Sequence, residues 1–104
     1  MMPHPIADEN APGGAARRNT IEQMRERLAL LAPESVQILD ESAKHAGHEG
    51  ARSGGGHYQL VIVARAFAGK PAVARHRMIY AALAGMMHRD IHALAIQAYA
   101  PGEP

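Results

Sequence analysis

Three histidines, His45, His48 and His92, are the side chains in this sequence whose type and spacing could do chemistry. His45 and His48 lie in a glycine-rich stretch, and His92 opens an apolar run near the end of the sequence. Imidazole is the commonest nitrogen ligand for metal ions. Because a flexible loop could carry the first two rings toward the third, the three residues form a candidate metal site. The alternative is that the loop histidines are solvent-exposed and His92 is partly buried with its hydrogen bonds satisfied.

The absence of cysteine limits what such a site can be. The chain has 104 residues, seven of them histidine and none cysteine. It cannot form a disulfide, a redox-active thiol or a thiolate ligand alone, so any thiolate at a metal site must come from a partner. A structural zinc site made of histidines stays an alternative, although such sites usually recruit cysteine. We find no catalytic triad, carboxylate pair or P-loop, and predict that the protein is not an enzyme.

A second set of candidate residues is basic. The formal net charge is only +1, but residues 65–89 contain no Asp or Glu. A helix in this stretch could lie along DNA phosphates or enter a major groove. Its cations could instead bind an acidic patch or carboxylates of a partner protein, or form an ordinary solvated face. The candidates are Lys70, Arg75, His76 and Arg77.

Composition indicates one small folded domain. Residues of hydrophobic type make up 47% of the chain, with one Phe and no Trp, so the core must be aliphatic and methionine-rich. Residues 1–18 are rich in Pro and Gly without apolar periodicity and are predicted to be a disordered tail, leaving 19–104 as the domain. The sequence lacks an apolar run of ~20 residues and a secretory signal, which predicts a cytoplasmic protein with no membrane contact.

Apolar periodicity predicts five elements. Asn19 or Thr20 is a candidate cap for a first helix that stops before Pro33. Residues 35–42 and 57–65 are typical of strands, residues 73–87 of a helix, and the alternation of the last apolar run of a third strand. That alternation places His92 on the same face as Leu94, Ile96 and Ala98.

The predicted fold class is α+β, in the order helix, strand, strand, helix, strand. Two strands in direct succession favour a hairpin, and a helix before the third strand favours a crossover to a parallel neighbour. We therefore expect a three-stranded mixed sheet with the helices on one face.

A basic, histidine-bearing helix that leads into a strand opening with histidine is similar to the signature of the BolA family, and the resemblance runs from about residue 20 to residue 103. It implies a class II KH-like fold, which has the same order of elements. The residues that carry it are Phe67, Gly69, Lys70, Arg75, His76, Arg77, Tyr80 and His92.

The resemblance implies a partner, a cofactor and a role. BolA-like proteins resemble partners of monothiol glutaredoxins, with which they form a heterodimer that shares a [2Fe-2S] cluster for iron-sulfur assembly, transfer or iron signalling. Thiolates would come from the glutaredoxin and its glutathione, and His92 with one loop histidine would complete the ligand set. The family places its loop ligand just after Asp-Glu-Ser, which ranks His45 ahead of His48. No cofactor is expected in the isolated chain, which would be a monomer or weak dimer.

The resemblance also implies an alternative function, that of a DNA-binding transcriptional regulator. The sequence departs from the family in two places that bear on its partners. Gly55 and Gly56 replace the usual Glu-Thr or Glu-Ser before His57, which predicts a looser loop hinge. The acidic pair that the family carries in its long helix is replaced around Gly85 and Met86. The Gly-x-x-Gly clamp of RNA-binding KH domains is missing, so RNA is not an expected ligand.

Overall fold

The computed structural model describes residues 14–42 and 56–103, with side chains described from Asn19 onward. The described elements follow the predicted order, which confirms the α+β class. They are α1 (Gly14–Leu28), β1 (Ser35–Asp40), β2 (Gly56–Val63), α2 (Ala72–Ala82) and β3 (Ile91–Tyr99), with short 3₁₀ helices at Ala29–Leu31 and Arg65–Phe67.

The described strands form one mixed sheet in the order β1-β2-β3. β1 runs antiparallel to β2, and β3 runs parallel to it after the crossover through α2. β2 is central, and its residues alternate between buried and half-buried along the whole strand. A central strand is covered on one face and flanked on both edges, which suits the apolar run from Leu60 to Val63.

The core lies between the helices and one face of this sheet. Leu60 and Ile62 of β2 belong to the same buried cluster as Met24 of α1 and Ile79 of α2. Phe67 is fully buried in that cluster, as expected of the only Phe in the chain. The helices therefore cover one sheet face, as predicted. Neither described helix is long and apolar enough to cross a membrane.

The first helix begins earlier than predicted. It starts at Gly14, so the cap predicted at Asn19 or Thr20 is wrong, and residues 14–18 of the predicted tail are helical. Ala15 and Ala16 have the highest helix propensity, and two arginines with high propensity follow them. Thr20 is 7% exposed and lies within the helix.

The second helix ends sooner than predicted. It stops at Ala82, although apolar spacing had extended it to Met87. Gly85 has φ +91°, a left-handed conformation that favours glycine and that an α-helix does not contain. Arg27 of α1 donates a hydrogen bond to the carbonyl of Ala84 at 2.7 Å, which ties this turn to the first helix.

One arginine joins the start of α2 to the end of β3. The Arg75 side chain is 12% exposed, and its Nη1 and Nη2 donate to the two carboxylate oxygens of Glu103 at 2.7 and 2.9 Å. Nη1 also donates to the carbonyl of Ala98, and Nε donates to the carbonyl of Lys70. The backbone N–H of Ala100 donates to the same Glu103 carboxylate. This two-pronged pairing is the strong geometry for an arginine and a carboxylate.

The Arg75–Glu103 pair should make the stability of the fold depend on acid. Hydrogen bonds from Arg75, and then from the Ala100 N–H, lower the pKa of Glu103 from 4.5 to about 2. A carboxyl group with a lowered folded-state pKa stabilises the fold above its unfolded pKa, and the contribution is lost as pH falls through the folded pKa. Glu103→Gln should therefore be less stable than the parent chain at pH 7, with the difference shrinking between pH 4.5 and 2.

Urea unfolding followed by circular dichroism across that pH range measures the effect. Glu26→Gln is the matched control, since Glu26 is an exposed carboxylate of α1. A stability difference for Glu103→Gln that stayed constant from pH 7 to pH 2 would contradict the role assigned to the ionised pair.

Candidate functional site

One end of the sheet gathers the end of β1 and the beginnings of β2 and β3. Antiparallel pairing sets Asp40 opposite Tyr58, and parallel pairing sets Gly56 opposite Ile91. His57 and His92 both lie at this end. The segment that carries His45 and His48 joins β1 to β2 here, but residues 43–55 lie outside the described part of the chain.

The backbone of His57 is held in place by the residues that end β1. Its N–H donates to the hydroxyl of Ser42 at 3.0 Å, and its carbonyl accepts a hydrogen bond from the N–H of Glu41 at 2.8 Å. The N–H of Ser42 in turn donates to a carboxylate oxygen of Asp40 at 2.8 Å. The Asp-Glu-Ser sequence therefore fastens the first turn after β1 to the start of β2.

A β-bulge determines where His92 points. Gly56 pairs with Ile91 and His57 pairs with Ala93, so His92 is an extra residue on β3. Ile91 is fully buried and His92 is exposed, whereas Leu94 is half-buried against the core. The prediction that His92 shares a face with Leu94, Ile96 and Ala98 is wrong, because the bulge interrupts the alternation between His92 and Leu94.

The bulge sets the ring of His92 beside that of His57. The ring centroids are 5.2 Å apart and the ring planes are tilted by 48°. His57 is half-buried, with its Nε2 shielded from solvent. Sequence reasoning missed His57 as a site residue. The available signal was that two strands predicted to be parallel neighbours both begin with histidine.

A compact turn leads into His92. The carbonyl of Met86 accepts hydrogen bonds from the N–H groups of Arg89, Asp90 and Ile91 at 3.0 to 3.2 Å. His88 has φ +71°, and its N–H donates to the carbonyl of Ile91 at 2.8 Å. The backbone just before His92 is therefore fixed by hydrogen bonds within the turn.

The predicted basic residues differ in whether their charge faces solvent or is paired within the fold. Lys70 and Arg77 are exposed and His76 is half-buried, whereas the guanidinium of Arg75 is held by Glu103 and by backbone carbonyls. Of these four residues, Lys70 and Arg77 present their charge to solvent. Within residues 14–42 and 56–103, no group of three or more His, Asp or Glu side chains is arranged to hold a metal ion.

Gly56 lies in a strand and is closely approached by a neighbouring side chain, so it does not act as a flexible hinge. It is buried in β2, and its N–H donates to the carbonyl of Asp90 at 3.1 Å. A Cβ atom at this position would lie 2.6 to 2.7 Å from the ring and hydroxyl of Tyr58. The looser hinge predicted from Gly55 and Gly56 is therefore wrong for Gly56, and Gly55 lies outside the described residues.

Comparison with known proteins gives a consistent set of relatives. A family profile described as BolA-like protein matches residues 28–103. The chain is 37% identical over 92 residues to BolA-like protein 1 of Pongo abelii, a match that covers 88% of this chain and 61% of that protein. It is 37% identical over 79 residues to the DNA-binding transcriptional regulator BolA of Escherichia coli strain K12, covering 75% of this chain and 72% of that one. The solved BolA domain of SufE1 from Arabidopsis thaliana has a TM-score of 0.68 and 40% identity, with 80% of this chain and 93% of that chain covered.

The contact between Gly56 and Tyr58 yields a test of how the site is built. Gly56→Ala should destabilise the fold by about 1–3 kcal/mol, because the added methyl group overlaps the buried Tyr58 ring. Urea denaturation measures the change in the free energy of unfolding. In a Tyr58→Leu background the same substitution should cost clearly less, since the ring is gone. An equal cost in both backgrounds would mean that the glycine is needed for another reason.

Proposed function

The chain belongs to the BolA family, and from this premise we propose that it binds a monothiol glutaredoxin and shares a [2Fe-2S] cluster with it. The protein acts as a cytoplasmic accessory factor in iron-sulfur cluster assembly, transfer or iron signalling, and not as an enzyme. The observation that carries the proposal is the exposed imidazole of His92, which a bulge turns outward at the sheet end where the β1–β2 segment is attached.

The absence of cysteine supports this division of ligands between two chains. A [2Fe-2S] cluster is usually held by four thiolates, and in Rieske centres imidazole replaces thiolate on one iron. This chain can supply nitrogen or oxygen ligands but no thiolate. The glutaredoxin and its glutathione supply thiolates, and this chain supplies imidazole from His92 and from a residue of the β1–β2 segment.

Chain connectivity supports His45 over His48 as that second ligand. His45 follows Ser42 by three residues, so its Cα cannot lie farther than about 11 Å from that of Ser42. Ser42 is hydrogen-bonded to the backbone of His57, whose ring lies beside His92. His48 is six residues from Ser42, so its Cα can lie up to about twice as far from that of Ser42.

Two of the four predicted basic residues are available for the partner. Lys70 and Arg77 are exposed and could bind the carboxylates of glutathione or an acidic patch on the glutaredoxin. Arg75 is not assigned this role, because its guanidinium already pairs with Glu103. The partner surface thus includes His92 and the exposed cations of the α2 region.

The cluster proposal is tested by replacing the exposed ligand. His92→Ala should abolish the visible absorption that appears when this protein is mixed anaerobically with a cluster-loaded monothiol glutaredoxin. His88→Asn is the matched control, since His88 is another exposed histidine and asparagine tolerates its left-handed conformation. An unchanged spectrum for His92→Ala, with the two proteins still associated by mass measurement, would exclude His92 as a ligand.

A DNA-binding role is a second candidate, favoured by two observations. The matched relative of E. coli is named a DNA-binding transcriptional regulator, and Lys70 and Arg77 lie exposed in a stretch without carboxylates. Phosphate contacts by exposed cations would give affinity that falls with salt. Both roles would use Lys70 and Arg77, and they are not exclusive, because one protein can bind a glutaredoxin and DNA at different times.

The DNA-binding role predicts a change in salt dependence. Lys70→Ala with Arg77→Ala should weaken binding to duplex DNA. The steepness with which log affinity falls against log salt should decrease by about 2, one for each lost phosphate contact. Fluorescence anisotropy at several salt concentrations measures this slope. Arg89→Ala, which removes an exposed cation outside α2, serves as the comparison. Retained affinity and slope in the double variant would rule out phosphate contacts by Lys70 and Arg77.

A further inference from the structure

We infer that His57 and His92 together form a two-nitrogen site for a single divalent transition-metal ion, such as Zn²⁺, in this chain alone. The inference does not need a glutaredoxin and assigns a ligand role to His57. It starts from the contact between the two rings, which belong to neighbouring parallel strands.

The separation of the rings fits coordination of one ion. A metal ion bound about 2.1 Å from one nitrogen of each ring, at a tetrahedral angle, holds the two ring centroids about 5 Å apart. The observed separation is 5.2 Å, and the 48° tilt is neither the parallel stack nor the perpendicular contact of two packed rings. The distance between the two rings is therefore the one that a shared ion requires.

Both ring-bearing residues are fixed at the backbone. His57 is held by hydrogen bonds to Ser42 and Glu41 on one side and by its pairing with β3 on the other. His92 follows a turn closed on the carbonyl of Met86. Residues held in place before binding lose little conformational freedom when a ligand arrives. The pair is thus preorganised by elements outside residues 43–55.

The ligand type selects the class of ion. Neutral imidazole suits Zn²⁺, Cu²⁺ and Ni²⁺, whereas Mg²⁺ and Ca²⁺ prefer oxygen ligands. Two protein ligands leave coordination positions open to water or to a further side chain. The exposure of His92 gives the ion a path from solvent. The site therefore takes an exchangeable ion rather than a permanently enclosed one.

The test uses the full chain without any partner. Calorimetric titration with Zn²⁺ should show one ion per chain, and NMR should show the ring signals of both His57 and His92 shifting together. His92→Ala and His57→Gln should each weaken binding by roughly tenfold or more, because each removes one of two nitrogen ligands. Mg²⁺ should produce neither heat nor shifts at the same concentration.

Two control variants separate this pair from the other histidines. His88→Asn should leave Zn²⁺ affinity unchanged, and so should His4→Ala. Affinity lost when His45 and His48 are replaced by Ala but kept in His57→Gln would overturn the inference, and so would Zn²⁺ shifts that spare the ring of either His57 or His92. The NMR measurement on the unaltered chain decides the matter even if a His57 variant fails to fold. Since no glutaredoxin is present, failure here is distinguishable from failure of the cluster proposal.

Discussion

Parallel pairing of β2 with β3 is the constraint on which the rest of this structure depends. Parallel neighbours need a crossover, which α2 supplies, and they start at the same edge of the sheet. Each of these two strands carries a histidine near its start, so the pairing brings His57 and His92 to one end of the sheet, and the bulge in β3 sets their rings side by side. Antiparallel β1 ends at the same edge and contributes the Ser42 hydroxyl that holds the backbone of His57.

Three arginines join parts of the fold through side-chain hydrogen bonds. Arg25 donates to the carbonyl of Val36, Arg27 to that of Ala84, and Arg75 pairs with Glu103. The first joins β1 to α1, the second joins α1 to the turn that follows α2, and the third joins the start of α2 to the end of β3. Of these three arginines, Arg75 has its charge paired with a carboxylate, whereas Arg25 and Arg27 stay exposed. The side chains of Lys70 and Arg77 are the exposed cations of the predicted set.

The sequence predicted the order of elements because helical spacing, apolar runs of strand length and nearby Pro or Gly residues distinguish the elements from one another. It misplaced the ends of both helices, where alanines without apolar spacing extend α1 and a left-handed Gly85 follows the shortened α2. Sequence reasoning selected Arg75 as a binding residue because it could not identify Glu103 as its partner. Glu103 is distant in the chain and meets Arg75 only in the folded molecule. The Arg75–Glu103 pair is a long-range contact, and the periodicity of the sequence carries no information about such contacts.

The bulge at His92 shows most clearly how one local irregularity changes which side chain is buried and which reaches solvent. Counted back from Leu94 in regular alternation, His92 would face the helices and Ile91 would face away from them. That arrangement would bury an imidazole among aliphatic side chains and expose a large apolar one, and both changes are unfavourable. One extra residue in β3 reverses the two positions, so that Ile91 completes the core and His92 reaches solvent beside His57. Burial of Ile91 in the core thus favours the bulge, and exposure of the His92 imidazole is the consequence.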